Sequence, residues 1–82
     1  MTSTPSIALA GLGTNLVLIW SYDSDTQRWR VYDPLIPSLS DLPFLVRGRG
    51  YWINVKTPQK LIYGGYSYDL QAGWNLIGWL AE

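Results

Sequence analysis

Cysteine and histidine are both absent from the 82 residues. Without cysteine there is no disulfide and no thiolate metal site. Without histidine the commonest metal ligand, and the side chain that titrates near neutral pH, are missing as well. Net charge is also lacking, because six basic residues balance six acidic ones. A neutral chain has no basic face of the kind nucleic acid demands, and little repulsion keeps its copies apart. Long apolar runs are missing too. The longest strongly apolar run, residues 16–20 (LVLIW), falls far short of the roughly 20 residues a membrane-spanning helix needs, so no membrane insertion is expected. Residues 1–5 lack the basic start of a signal peptide, and no Asn-x-Ser/Thr sequon occurs.

Aromatic residues are abundant. Five Trp, six Tyr and one Phe can each bury roughly 150–250 Å². The chain, residues 1–82, has the length of one domain. A domain of this size buries only about 60–65% of its unfolded surface, so the rings are the means of building a core. A dozen rings cannot all be interior in so short a chain, and exposed rings make contacts with other molecules.

Residues 1–4 form a polar leader. Thr4 suits an N-cap ahead of Pro5, and residues 5–12 predict one short helix that Gly13 stops. The β core is expected over residues 15–82. Its first strand, residues 15–22, alternates Leu16, Leu18, Trp20 and Tyr22 on one face with Val17, Ile19 and Ser21 on the other. Both faces are largely apolar, which predicts a central strand. Residues 23–27 (DSDTQ) turn the chain into a second strand over 28–32, giving a hairpin. Residues 33–45 carry Pro34, Pro37 and Pro43, which exclude a regular strand, and predict a loop wrapped on the core with a helical turn over 40–45. Further strands are predicted over 48–56, 61–63, 66–70 and 74–80, separated by Gly- and Pro-containing turns. In the first of these Tyr51, Ile53 and Val55 face one way, Trp52 and Asn54 the other. The fold class is therefore mainly β: a small antiparallel barrel or sandwich of about six short strands with one short N-terminal helix.

No motif in the sequence assembles into a chemical site. Asp23-x-Asp25 has the start of a calcium loop but not its later ligands, and reads as an Asx turn. Gly11-x-Gly13 follows a helix rather than a strand and is a helix stop, not a dinucleotide loop. Pro34-Leu-Ile-Pro37 is a wrapped loop. Arg47-Gly-Arg-Gly50 is a glycine turn entering a strand, with cation–π stacking of Arg47 or Arg49 on Tyr51 or Trp52 as an alternative. The carboxylates Asp23, Asp25, Asp33, Asp41, Asp69 and Glu82 fall almost entirely in predicted turns or at the end, so no facing acid–base pair is expected. No catalytic, cofactor-binding or metal-binding residues are assigned, and enzymatic activity is not expected.

Three phrases in order carry a resemblance: residues 20–23 (WSYD) with Trp29 and residues 32–34 (YDP), residues 48–53 (GRGYWI), and residues 73–78 (GWNLIG). Together they resemble an aromatic-rich β repeat found in tandem in large secreted and cell-surface proteins of bacteria and archaea. The resemblance spans residues 8–78. It implies a non-enzymatic, architectural or adhesive part located outside the cell or on its surface. In the tandem proteins the GWNLIG strand leads into the short helix of the next unit, whereas here it closes the sequence. A single, permuted copy is therefore expected, whose strand over 74–80 either returns to its own sheet or completes that of a neighbour.

Trp20, Trp29 and Trp74 are the default core rings. The expected interface or ligand platform comprises Trp52, Tyr66, Tyr68, Trp74, Trp79, Arg47 and Arg49, with Trp74 counted in both sets. Interfaces favour Trp, Tyr and Arg, so the leading expectation is a structural module that forms a homo-oligomer or polymer. A carbohydrate- or protein-binding adhesion module is the first alternative, and a virion decoration or tail protein, with the virion surface as its location, is the second.

Overall fold

Strict alternation of inward and outward positions sets the central strand of the molecule. The computed structural model describes residues 2–81. In it Gly50–Val55 pairs on both sides: with Leu16–Asp23 antiparallel on one edge and with Gly73–Gly78 antiparallel on the other. Arg28–Tyr32 pairs with the far side of Leu16–Asp23. Numbered along the chain, the strands are β1 (Thr2–Ser3), β2 (Leu16–Asp23), β3 (Arg28–Tyr32), β4 (Leu45–Val46), β5 (Gly50–Val55), β6 (Gln59–Tyr63), β7 (Tyr66–Leu70) and β8 (Gly73–Gly78). The four-stranded sheet has the order β3-β2-β5-β8, β6 and β7 form a hairpin, and β1 pairs with β4. The protein is thus mainly β and antiparallel, and its main sheet is open rather than closed into a barrel. The two strands beyond the expected six are the two-residue β1 and β4.

One face of the four-stranded sheet supplies the core. Ile19, Tyr51, Ile53 and Val55 point inward and meet Leu61, Tyr68 and Leu70 of the hairpin, Leu45, and Ala8, Leu9 and Leu12 of the N-terminal segment. The expected split of Tyr51, Ile53 and Val55 from Trp52 and Asn54 is what the strand adopts. β2 is central, as expected, but a register shift between Leu16 and Leu18 changes its facing. Leu16 joins Ile19 in the core and Val17 turns outward, because a bulge adds a residue to one strand and reverses the alternation beyond it.

The N-terminal segment departs from the sequence expectation. Thr2–Ser3 is not a free leader: it pairs with β4, and Ser3 is buried. Met1, like Glu82, lies outside the described residues. The helix (α1, Pro5–Ala8) is only four residues long, with Pro5 at its start. The Thr4 side chain makes no capping bond; the Thr4 carbonyl instead accepts from the Ile7 and Ala8 N–H groups at 3.1 and 2.8 Å. A 3-10 segment over Ala10–Asn15 follows, kinked at Gly13, whose φ of 53° suits glycine. Gly13 is non-helical and breaks the helical path there, as expected, with a further short helical turn beyond it. Asn15 then anchors this segment to the β5–β6 turn. Its amide donates to the Thr57 carbonyl and Gln59 Oε1 at 3.0 and 2.8 Å, and its Oδ1 accepts from the Thr57 N–H at 2.8 Å.

The connection from β3 to β4 is irregular, as its prolines require. The Asp33 carboxylate accepts from the Leu35 N–H at 2.9 Å. The helical turn falls at Pro37–Leu39, ahead of the expected 40–45, and residues 45–46 are strand β4.

Candidate functional site: a tryptophan face on the open sheet

The ladder register assembles the outer face of the sheet. Directly opposed residues in an antiparallel pair share a face. Trp20 lies opposite Trp52, Tyr22 opposite Trp29, Trp52 opposite Leu76, and Asn54 opposite Trp74. One continuous surface therefore holds Trp20, Trp29, Trp52 and Trp74, bordered by Tyr22 and Leu76. Among the described residues no element packs over it. Trp29 is 52% exposed, Trp74 50%, Trp52 40% and Leu76 62%. The rings near β3 meet edge to face, Tyr22 on Trp29 at 5.4 Å and Trp20 on Trp29 at 6.5 Å. That arrangement suits aromatic quadrupoles.

The expected platform divides in two. Trp52 and Trp74 sit on this face. Tyr68 and Trp79, expected to be exposed, are core residues at 7% and 1% exposure. Trp79 continues the inward phase of Asn75 and Ile77, and its ring stacks on Tyr68 at 5.3 Å and 4° and on Tyr63 at 6.0 Å. The Leu80 N–H donates to the Tyr68 hydroxyl at 2.8 Å. Tyr66 is exposed, but it lies on the β6–β7 hairpin, in a different sheet from Trp20, Trp29, Trp52 and Trp74. Arg47 and Arg49 are exposed, and Arg49 faces Asp25 at 3.9 Å. Conversely Trp29 and Trp74, the default core rings, are half exposed, and Trp20 is only partly buried. Trp20, Trp29, Tyr22 and Leu76 are the face residues that sequence reasoning missed. The signal for them is parity: around a turn at residues 24–27, position 22 must meet 29 and position 20 must meet 31.

The two edges of the sheet differ. At β3 the Val31 carbonyl accepts from the Asp41 and Leu42 N–H groups at 2.9 and 3.0 Å. The Val31 N–H donates to the Asp41 carboxylate at 2.8 Å, and the Asp33 N–H to the Ser40 hydroxyl at 2.7 Å. The loop thus occupies that edge. At β8 the Trp79 N–H donates to the Arg49 carbonyl at 2.9 Å, which places residues 73, 75 and 77 on the bonded side of the ladder. The backbone groups of Trp74, Leu76 and Gly78 point away from β5, and β8 is the last strand of its sheet.

A charged cleft of about 280 Å³ lies at one end of the inner face, lined in part by Ser21, Asp23, Arg30, Arg49 and Tyr51. Arg30 bridges Asp23 at 3.5 Å and Asp41 at 3.7 Å. Partial desolvation alone would raise the Asp23 carboxyl. Hydrogen bonds from the Asp25 and Thr26 backbone and the Thr26 hydroxyl, with the Arg30 charge, outweigh it and hold the group below the usual carboxylate range. Burial pushes the Tyr51 phenol up, against the opposing effects of the Val46 N–H bond and Arg49. These groups already satisfy one another, so the cleft is a structural polar cluster. Among the described residues no group of three or more acidic side chains is placed to hold a metal ion.

No protein-family model, curated protein or solved structure matches this chain.

Proposed function

We propose that the chain is a non-catalytic structural module that associates with copies of itself through its tryptophan sheet. The observation that carries this reading is the uncovered outer face of Trp20, Trp29, Trp52 and Trp74. At roughly 250 Å² per fully exposed ring, the exposed fractions of Trp29, Trp52 and Trp74 amount to roughly 350 Å². Tyr22 and Leu76 bring the apolar patch to roughly 500 Å². A contiguous apolar patch of this size often serves as a binding surface. A standard interface buries about 800 Å² per partner, somewhat over half of it apolar. The apolar patch matches the apolar part of such an interface, and the zero net charge removes long-range repulsion between copies. A location outside the cell or on its surface rests on the sequence resemblance alone.

Light scattering with sedimentation velocity over a concentration series tests the reading. Association with a concentration-dependent blue shift of tryptophan emission is the expected result, weakened in Trp29→Ser and Trp52→Ser. A strict monomer at every concentration overturns it. If the monomer's emission shifts instead on titration with a saccharide panel, the face is a sugar-stacking platform, the reading favoured by its flatness and by Asn54 among the rings.

A further inference from the structure

Two glycines on the outer face are demanded neither by backbone conformation nor by crowding within the monomer. Gly50 and Gly78 lie opposite each other on β5 and β8, and neither has a positive φ. A Cβ at Gly78 would meet nothing within 4 Å, and one at Gly50 would meet Leu76 Cδ1 at an ordinary 3.8 Å. The two glycines stand at the first position of β5 and the last of β8, and a sheet glycine with neither bulge nor bend marks a site where a ligand or another backbone can approach closely. The bare floor they leave is walled by Leu76 and Trp52, the next pair along the ladder.

The floor adjoins an unguarded edge. β8 reads Gly-Trp-Asn-Leu-Ile-Gly, with no charge and no proline, so it lacks the devices that keep edge strands from pairing. Its outward backbone groups belong to Trp74, Leu76 and Gly78. These positions are self-complementary about Leu76. An antiparallel copy with Leu76 opposite its own counterpart sets Trp74 of each chain opposite Gly78 of the other.

Resting on the self-association proposed above, we infer that a second copy of this chain pairs antiparallel along β8 about a two-fold axis at Leu76, and that each Trp74 indole covers the Gly78–Gly50 floor of the other chain. An aromatic ring laid over a cross-strand glycine is a recognised way of stabilising such a site. The two four-stranded sheets become one eight-stranded sheet, and the tryptophan faces run on continuously across the axis.

A cross-link reads the register directly, because the chain has no cysteine of its own. Directly opposed bonded residues have Cα atoms about 5.5 Å apart, within disulfide reach. Mild oxidation of Leu76→Cys is expected to give near-complete disulfide dimer. Ile62→Cys, equally exposed at 68% but on the β6–β7 hairpin, is expected to stay monomeric. Gly78→Val fills the floor and favours the strand; it is expected to keep the circular-dichroism spectrum and thermal midpoint while weakening association at least tenfold. If the wild-type chain associates but Leu76→Cys cross-links no better than Ile62→Cys and Gly78→Val associates normally, the β8 pairing is wrong and the self-association reading stands. A wild-type chain that never associates overturns both.

Discussion

The rings of Tyr68 and Trp79 lie 5.3 Å apart and only 4° from parallel, with Tyr63 also stacked on the indole at 6.0 Å. This stack joins the β6–β7 hairpin to the segment that follows β8, so Trp79 closes the core from the sheet side. Trp79→Ala removes the largest fully buried side chain and is expected to cost about 3–5 kcal/mol. An 82-residue domain has only about 4–12 kcal/mol in total, so urea titration should find the variant largely unfolded or close to it. Tyr68→Phe loses only the acceptor of the Leu80 N–H and should cost about 1 kcal/mol.

Trp29 offers the opposite case. It is as large as Trp79 but half exposed on the outer face. Trp29→Ser should cost about 1 kcal/mol or less in the monomer, mainly the edge-to-face contacts with Trp20 and Tyr22. Denaturation of the two variants side by side checks which tryptophans build the core.

Gly64 and Gly65 separate backbone strain from crowding. Both have positive φ, but a Cβ at Gly64 would lie 2.9 Å from the Ala81 Cβ, whereas one at Gly65 meets nothing within 4 Å. Gly65→Ala should cost about 1–2 kcal/mol from its left-handed backbone alone. Gly64→Ala adds overpacking of about 1–3 kcal/mol. Thermal melts should rank Gly64→Ala clearly below Gly65→Ala.

Asn15 ties the N-terminal segment to the turn at Thr57 with bonds in both directions. Asn15→Ala leaves the Thr57 N–H and carbonyl without these partners and should cost about 1–3 kcal/mol. Hydrogen exchange should show the loss concentrated in residues 10–15 and 56–59.

The two shifted groups set opposite limbs of the pH profile. Asp23 is held below its unfolded value of about 3.9. Its contribution is present above about pH 4 and is lost as pH falls through the folded value. Tyr51 is raised above its ordinary value of about 10. Its contribution is fully present below about pH 10 and is lost as pH rises through the folded value. Urea midpoints measured across pH should therefore flatten at the acid end in Asp23→Asn and at the alkaline end in Tyr51→Phe.

Legibility in the sequence followed alternation. The facing of Tyr51, Ile53 and Val55 against Trp52 and Asn54 was readable because the strand runs without a bulge, so a count by twos from Val55, with polar Asn54 on the other face, holds along its length. In β2 both faces are apolar, so hydrophobicity could not tell Trp20 outward from Ile19 inward, and the bulge after Leu16 broke the count. Trp74 and Trp79 differ by an odd number of positions and so belong to opposite faces of one extended segment. Residue type alone, which favours burial of every tryptophan, hides that difference. Thr2–Ser3 was illegible for another reason: its partner, β4, is a two-residue strand formed only by long-range pairing.

The Asp41 carboxylate on the Val31 N–H limits how far the sheet can extend. A four-stranded sheet with one open pairing edge is monofunctional in the polymer chemist's sense: two such sheets combine and terminate. In the β8 pairing inferred above, the two four-stranded sheets would therefore close as a pair, and any larger body would have to grow through other surfaces, the tryptophan face first among them.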